Sequence, residues 1–223
     1  AIIAEYGADT LRLYEMYMGP LEASKPWNTR DIVGVHRFLQ RVWRLAVVPE
    51  NPDSGDGRWI LNPRLNPQRH PALERVLHKT IAKVEKDIAR FAFNTAIAQM
   101  IVFANEAGRA EHIGRDQLER FLVVLAPFAP HLCEELWHRL GHTTLIGQEP
   151  WPTYDEALTR DETVELAVQV LGRVRGRMTV AADAGDDDIL AAALAIENVQ
   201  RDLADRKIKK HIIIRGRLIN LIV

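Results

Sequence analysis

The spacing of apolar residues changes character once along this chain, and that change limits its fold more than any other feature. Up to about residue 141 apolar side chains recur every three or four positions. That period places them on one face of successive α-helices. From residue 164 they alternate instead: Val164, Leu166, Val168 and Val170 are interleaved with Glu165, Ala167 and Gln169. A period of two belongs to half-buried strands. One chain therefore holds a helical part and a part with strands, which excludes an all-helical or an all-β domain.

The helical part reads as a series of helices separated by breaks. Leu11, Tyr14 and Met18 follow Asp9, a candidate N-cap, and Gly19-Pro20 stops that helix. Ile32, Val35, Leu39, Val42 and Leu45 form a second stripe ended by Pro49. Residues 49–71 hold five prolines and two glycines, so a loop is expected, mobile or wrapped over the surface. Pro71 suits a first helical position, and Leu73, Leu77, Ile81, Val84 and Ile88 mark a long helix after it. Phe91 to Asn105 continues as helix after a break, until Gly108. Asp116 is a candidate cap for Leu118, Leu122 and Leu125, and Pro130 starts a last helix that runs to Gly141. Helices of this length with short turns predict an antiparallel bundle.

The second part predicts a small α+β domain. Gly172 marks a turn between strands at 164–170 and 174–180. Asp186, Asp187 and Asp188 place negative charge where a helix N-terminus favours it, and a helix to Leu203 follows. Ile208–Ile214, Gly216 and Leu218–Val223 predict a closing hairpin. The expected division is a helical domain over 1–152 and an α+β domain over 164–223, joined by the Pro-containing, polar linker Pro150–Glu162.

Composition adds limits. The formal net charge is −1, so only local charge can argue for a nucleic-acid partner. The lone Cys133 excludes an internal disulfide and fits a reducing compartment. No apolar run approaches the roughly 18 residues of a membrane span. The chain opens AIIAEYGADTLRLYEMYM, without Met and with helical spacing at once. That is expected of a piece of a longer protein.

Several features invite chemistry and are explained better by packing. His112-Ile113-Gly114 resembles part of an ATP signature but lies between helical segments, with Arg115 in place of the last His. His131 and His138 are seven residues apart, not the four of HExxH; pairing of Glu134 with His138 one turn on is favoured over a metal site. Trp43 and Trp137 fall on helix stripes, whereas Trp27 and Trp151 neighbour prolines and are open to stacking roles. Cys133 reads as a packed apolar residue, and the three aspartates as capping charge. No catalytic residue and no metal ligand is expected.

The tail differs. Residues 164–223 hold ten Lys/Arg against eight Asp/Glu, a small excess with an uneven distribution. Arg173, Arg175 and Arg177 alternate and should share one face of a hairpin. Lys207, Lys209 and His211 alternate on a later strand, beside Lys210; Arg215 and Arg217 flank the last turn. If the two hairpins pair, these cations form one patch without carboxylates. Such a patch attracts phosphate backbones; the bland alternative is a basic strand edge that resists aggregation.

Three stretches carry a family resemblance. YGADTLRLYEMYMGPLEASKPWNTRDIVGVHRFLQRVW spans 6–43, LAPFAPHLCEELWHRLG spans 125–141 with Trp151-Pro152 beyond, and VQVLGRVRGRMTV spans 168–180 with GRLINLIV at the end. Together they resemble the C-terminal half of bacterial leucyl-tRNA synthetases. The second names the class I anticodon-binding fold; the first and third resemble the leucine branch. Leu171 departs from the Asn usual in that hairpin, which raises doubt about its turn.

The resemblance implies a tRNA-binding part of a ligase. The bundle would lie against the acceptor side and inner face of tRNA(Leu), and the small domain would grip its elbow through Arg173, Arg175, Arg177, Lys207, Lys209, Lys210, Arg215 and Arg217. The HIGH and KMSKS motifs and the editing domain are missing from these residues. ATP and Mg would belong to the parent enzyme, in the cytoplasm, and a monomer is expected. The alternatives are a valyl or isoleucyl enzyme, a stand-alone RNA-binding protein, or a metal hydrolase built on the His131–His138 helix.

Overall fold

In a computed structural model, all residues are described except 1, 21, 23, 25, 29, 30, 54–56, 161, 162 and 205. Five positions of the 6–43 motif, three of the Pro-rich segment and two of the linker therefore lie outside the described residues. The chain divides into two compact units, 1–159 and 160–223.

The larger unit is helical: α1 (Ile2–Tyr6), α2 (Ala8–Tyr17), α3 (Ile32–Ala46), α4 (Pro71–Ala89), α5 (Phe93–Arg109), α6 (Arg115–Leu125), α7 (Pro130–Arg139) and the single turn α8 (Glu156–Thr159). The stripe on α3 is fully inward, with Ile32, Val35, Leu39, Val42 and Leu45 all buried. On α4, Leu73, Leu77, Ile81 and Val84 face the same core. Phe103 of α5 and Phe121 of α6 stack at its centre, 4.3 Å between ring centroids. Cys133 is fully buried, and burial pushes its thiol well above the usual range.

Two capping expectations are corrected. The N-cap of α2 is Gly7, not Asp9, and the buried face of α2 is Asp9, Thr10, Leu13 and Tyr14. Asp9 serves a different helix. It accepts from the Leu132 amide at 2.7 Å and from His131 Nδ1 at 2.8 Å, and so caps α7, whose own N-cap Ala129 makes no side-chain cap hydrogen bond. The N-cap of α6 is Gly114; Asp116 instead pairs with Arg69 and Arg120.

The Pro-rich segment is more ordered than its composition predicts. β1 (Val47–Pro49) pairs antiparallel with β2 (Trp59–Leu61), and β3 (Leu65–Asn66) pairs parallel with β4 (Ile113–Gly114). Side chains hold it down. Buried Asn62 donates to the Arg44 carbonyl at 2.8 Å and accepts from the Arg64 amide. The Ile113-Gly114 part of the His-Ile-Gly string is thus a short strand leading into α6, with Gln117 Oε1 accepting from the Gly114 and His70 amides.

The smaller unit is a four-stranded sheet with two helices. Its elements are β5 (Thr163–Val170), β6 (Arg173–Ala181), α9 (Asp186–Leu194), α10 (Glu197–Leu203), β7 (Lys210–Ile214) and β8 (Leu218–Ile222). The expected single helix to Leu203 is two, broken at 195–196. Strand order is β6-β5-β8-β7, with β5 and β8 parallel. Leu166, Val168, Val170, Ile219 and Leu221 pack against Ile189, Ala193, Val199 and Leu203. Helices thus cover one sheet face.

The β5–β6 turn retains its two-residue form despite Leu171. Val170 pairs with Arg173, and both Leu171 (φ 50°) and Gly172 (φ 79°) are left-handed, as a type I′ turn requires. Asn220 Oδ1 accepts from the Gly172 amide at 3.0 Å and steadies it. A leucine held left-handed costs about 1–2 kcal/mol, and this one is mostly exposed, so little packing offsets the cost. Leu171→Asn is therefore expected to raise the stability of the small unit by about 1 kcal/mol. A denaturant midpoint that stays put or falls would contradict it.

Candidate nucleic-acid interface

The eight tail cations do not form the single patch that alternation predicts, and the reason is a β-bulge. Val168 pairs with Gly176 but Gln169 pairs with Val174, which leaves Arg175 as an extra residue in β6. Residues directly opposite in an antiparallel pair share a face. Arg177 opposes Ala167, on the face away from the helices. Arg173 opposes Val170, whose side chain lies in the helix-covered core. The alternating triplet is split between faces.

Nor is the set free of carboxylates. Arg175 Nε donates to Asp202 on α10 at 2.9 Å, Arg177 pairs with Glu165 across the ladder at 2.6 Å, and Arg215 pairs with Asp186 at 2.6 Å. Exposure separates them. The Arg177–Glu165 side chains are 72% and 57% exposed, and such pairs contribute about 0–1 kcal/mol, so a phosphate can displace the carboxylate. Arg175 and Asp202 are only 34% and 27% exposed. Arg175 is the least available of the eight.

Arg173, Lys207, Lys209, Lys210 and Arg217 are exposed, and none has a side-chain hydrogen bond or ion pair among the described residues. Arg173 lies on edge strand β6; Lys210 lies on the opposite edge, β7. Three interstrand steps separate them, roughly 14 Å. On the uncovered face the two edge strands themselves carry exposed apolar side chains, Val174 on β6 and Ile212 and Ile214 on β7. The unpaired cations are thus spread over both edges of the sheet, an arrangement suited to charged polymers rather than to one small anion.

The helical unit has cations that the net charge hides. Arg41 and Arg44 of α3, Arg64 after β2 and Arg109 at the end of α5 line one hollow of about 430 Å³. Only the α3 part is legible in the sequence, as Arg37, Arg41 and Arg44 at helical spacing; the other two arrive by folding.

The remaining candidates are structural in this geometry. Glu134 and His138 pair one turn apart at 3.3 Å, while His131 turns away to Asp9. No group of His, Cys, Asp or Glu among the described residues has metal-binding geometry. Trp137 stacks on His142 at 3.7 Å, and Trp151 packs on the helical core. Trp43 meets Trp59 edge-on with Arg139 over its ring. Trp27 packs edge-on against Tyr14 and stays half-exposed. No helix among the described residues is long and apolar enough to cross a membrane.

The family model "anticodon-binding domain of tRNA ligase" matches residues 72–190, just over half of the chain. The whole chain is 49% identical to part of the leucine–tRNA ligase of Mycolicibacterium paratuberculosis and 42% identical to part of that of Rhodopirellula baltica, covering 23% of each. The chain thus spans about a quarter of the length of these curated relatives. Among solved structures it is similar to the crystal structure of the ternary complex of Agrobacterium radiobacter K84 agnB2 LeuRS–tRNA–LeuAMS, with a TM-score of 0.71 and 31% identity over 99% of this chain and 29% of that one.

Proposed function

The chain belongs to the family of tRNA-ligase anticodon-binding domains, and from that premise we propose that it is the C-terminal tRNA-binding part of a leucine–tRNA ligase. The observation that carries this is identity of 49% to leucine–tRNA ligases over the full chain, both units included. A valyl or isoleucyl enzyme is not favoured, because the leucine relatives match the strand-containing tail as well as the bundle.

The mechanism of these residues is positioning. Substrate held in one geometry converts an encounter between molecules into a reaction within a complex. The unpaired cations Arg173, Lys207, Lys209, Lys210 and Arg217, joined by Arg177 and Arg215 when their carboxylates are displaced, attract the phosphates of tRNA(Leu). Ionic contacts of this kind fix register and orientation and carry no base sequence themselves. Domains of the parent enzyme outside these residues would supply leucine activation with ATP and Mg, in the cytoplasm, on a monomeric enzyme. The chain itself takes no cofactor and holds no metal.

The experiment pairs two readouts on the purified chain. It is expected to bind tRNA(Leu) at low salt and to show no leucine-dependent pyrophosphate exchange with ATP. Exchange above a blank, or no tRNA binding at low salt, would refute the assignment.

A further inference from the structure

We propose that His78 is a proton-sensitive latch, which ties the last segment of the helical unit to α4 while its ring is neutral and releases that segment on protonation. The segment runs from Pro150 to Thr159, where the helical unit ends. In it, Asp155 donates its backbone N–H to His78 Nδ1 at 2.7 Å. Among the described residues, the other hydrogen bonds of the segment stay within it: Ala157 and Leu158 donate to Asp155, and the Thr159 hydroxyl donates to the Glu156 carbonyl.

The far side of the ring decides which nitrogen carries hydrogen. His78 Nε2 lies 3.0 Å from Glu74 Oε1, one turn earlier on α4. Burial alone would raise the pKa of Glu74, but hydrogen bonds from Arg120, Gln117 and His78 outweigh it and hold the carboxyl below the usual range. An ionised carboxylate only accepts, so Nε2 carries the hydrogen and Nδ1 offers its lone pair to Asp155. A second proton has one place to go, which is Nδ1, and there it meets the Asp155 N–H. Two donors cannot share one bond, so the amide must leave.

The surroundings support that exchange. His78 is buried, at 9% exposure, but it lies under a segment whose residues 153–157 are exposed, so local opening admits a proton. The charged neighbours on α4 are Glu74, Arg75 and Lys79, and on the segment Asp155 and Glu156. From α6, Arg120 and Asp116 pair with each other and Arg120 also with Glu74, while Arg115 pairs with Glu119. From α5, Glu106 and Arg109 pair with each other. Protonation therefore strengthens the contact with Glu74, which keeps the ring on α4 while the segment departs. His70 commits its Nδ1 in the same way, to the Leu73 N–H at 3.4 Å, but that amide belongs to its own helix and ties down no second segment.

The connector is what such a latch controls. Trp151 packs on the helical core, so release begins beyond it. Freeing residues 153–159 adds seven residues of loose chain at the end of the helical unit, up to roughly 23 Å when extended. Imidazole ordinarily changes charge between about pH 5 and 8, so the latch is closed at the upper end of that range and opens towards the lower.

The test follows the unmodified chain from about pH 8 to 5, beside His78→Asn and His78→Leu. Asn places a carbonyl oxygen near the position of Nδ1 and does not titrate; Leu offers no acceptor. NMR of the imidazole nitrogens should show hydrogen on Nε2 and none on Nδ1 at the alkaline end. Protection of the Asp155 amide, corrected for the intrinsic effect of pH on exchange, should fall about tenfold as the ring is protonated, the worth of one hydrogen bond. Chymotrypsin should cut after Tyr154 and Leu158 faster in step with that fall. In His78→Asn both readouts should stay flat with pH, and in His78→Leu protection should be low throughout. Hydrogen on Nδ1 at the alkaline end, or Asp155 protection that ignores pH in the unmodified chain, would overturn the latch without recourse to a variant. A fall in His78→Asn equal to that of the unmodified chain would assign the response to another group and overturn it as well.

Discussion

Phe121→Ala is expected to destabilise the helical unit by about 3–5 kcal/mol, the cost of deleting a large buried aromatic side chain, while the small unit keeps its own transition. Phe121 is fully buried and stacked on Phe103, between α5 and α6. Removing it opens a void at the meeting of two helices that close packing holds rigid, so collapse around it is partial. The small unit has a separate core around Leu166, Val168, Ile219 and Leu221 and should not feel the void. Denaturation followed by Trp fluorescence, which reports the helical unit because all five tryptophans precede residue 160, measures the first loss. Amide exchange on β5 and β8 checks the second. A loss below about 1 kcal/mol would mean that the core site relaxes freely.

Asp87→Ala should cost about 2–3 kcal/mol and should blunt the acid sensitivity of the helical unit. Asp87 is wholly buried at the α4–α5 corner. It accepts from Lys83, from Arg90 at 2.6 and 3.1 Å, and from Thr95. Burial alone would raise its pKa, but the hydrogen bonds from Lys83, Thr95 and Arg90 outweigh burial and hold the carboxyl below the usual range. The sign follows from linkage: a carboxyl with a lowered folded pKa contributes stability above its unfolded value, 3.8, and loses it as pH falls through the folded one. Glu74, also lowered, with burial opposed by Arg120, Gln117 and His78, adds to the same window. The half-exposed Lys83 and Arg90 can rehydrate when Asp87 is removed, which keeps the cost below that of stranding a buried charge. Stability compared between pH 7 and pH 3 should fall less in the variant than in the unmodified chain. Equal falls would show that Asp87 is not part of the acid response.

What the sequence disclosed follows from how local each signal is. The α3 stripe, Pro71 at the head of α4 and the alternation over 164–170 are written within one element, and each element forms where its pattern predicts. The Pro-rich segment was hidden because Asn62 and Arg64 order it through contacts with α3 and α5, far along the chain. Asp9 misled for the same reason: it precedes its own helix in sequence but caps α7 in space. The cationic face failed by one residue. A single bulge at Arg175 inverts the alternation on one side of it, which period-two counting cannot detect. The arginine hollow needs positions 41, 44, 64 and 109 brought together by three elements, and no window of sequence contains them.

The central claim is that this chain holds tRNA by its phosphates, and the most direct measurement is a salt titration of tRNA(Leu) binding for the unmodified chain beside Lys209→Ala/Lys210→Ala. Both lysines are exposed and without side-chain partners among the described residues, so removing them should leave the fold undisturbed. Affinity of the unmodified chain should fall steeply and linearly on logarithmic axes as salt rises. The double variant should bind every tRNA more weakly, with a slope shallower by about 0.7–0.9 for each phosphate that is no longer neutralised. Binding that ignores salt, or a double variant with unchanged slope and affinity, would contradict the account.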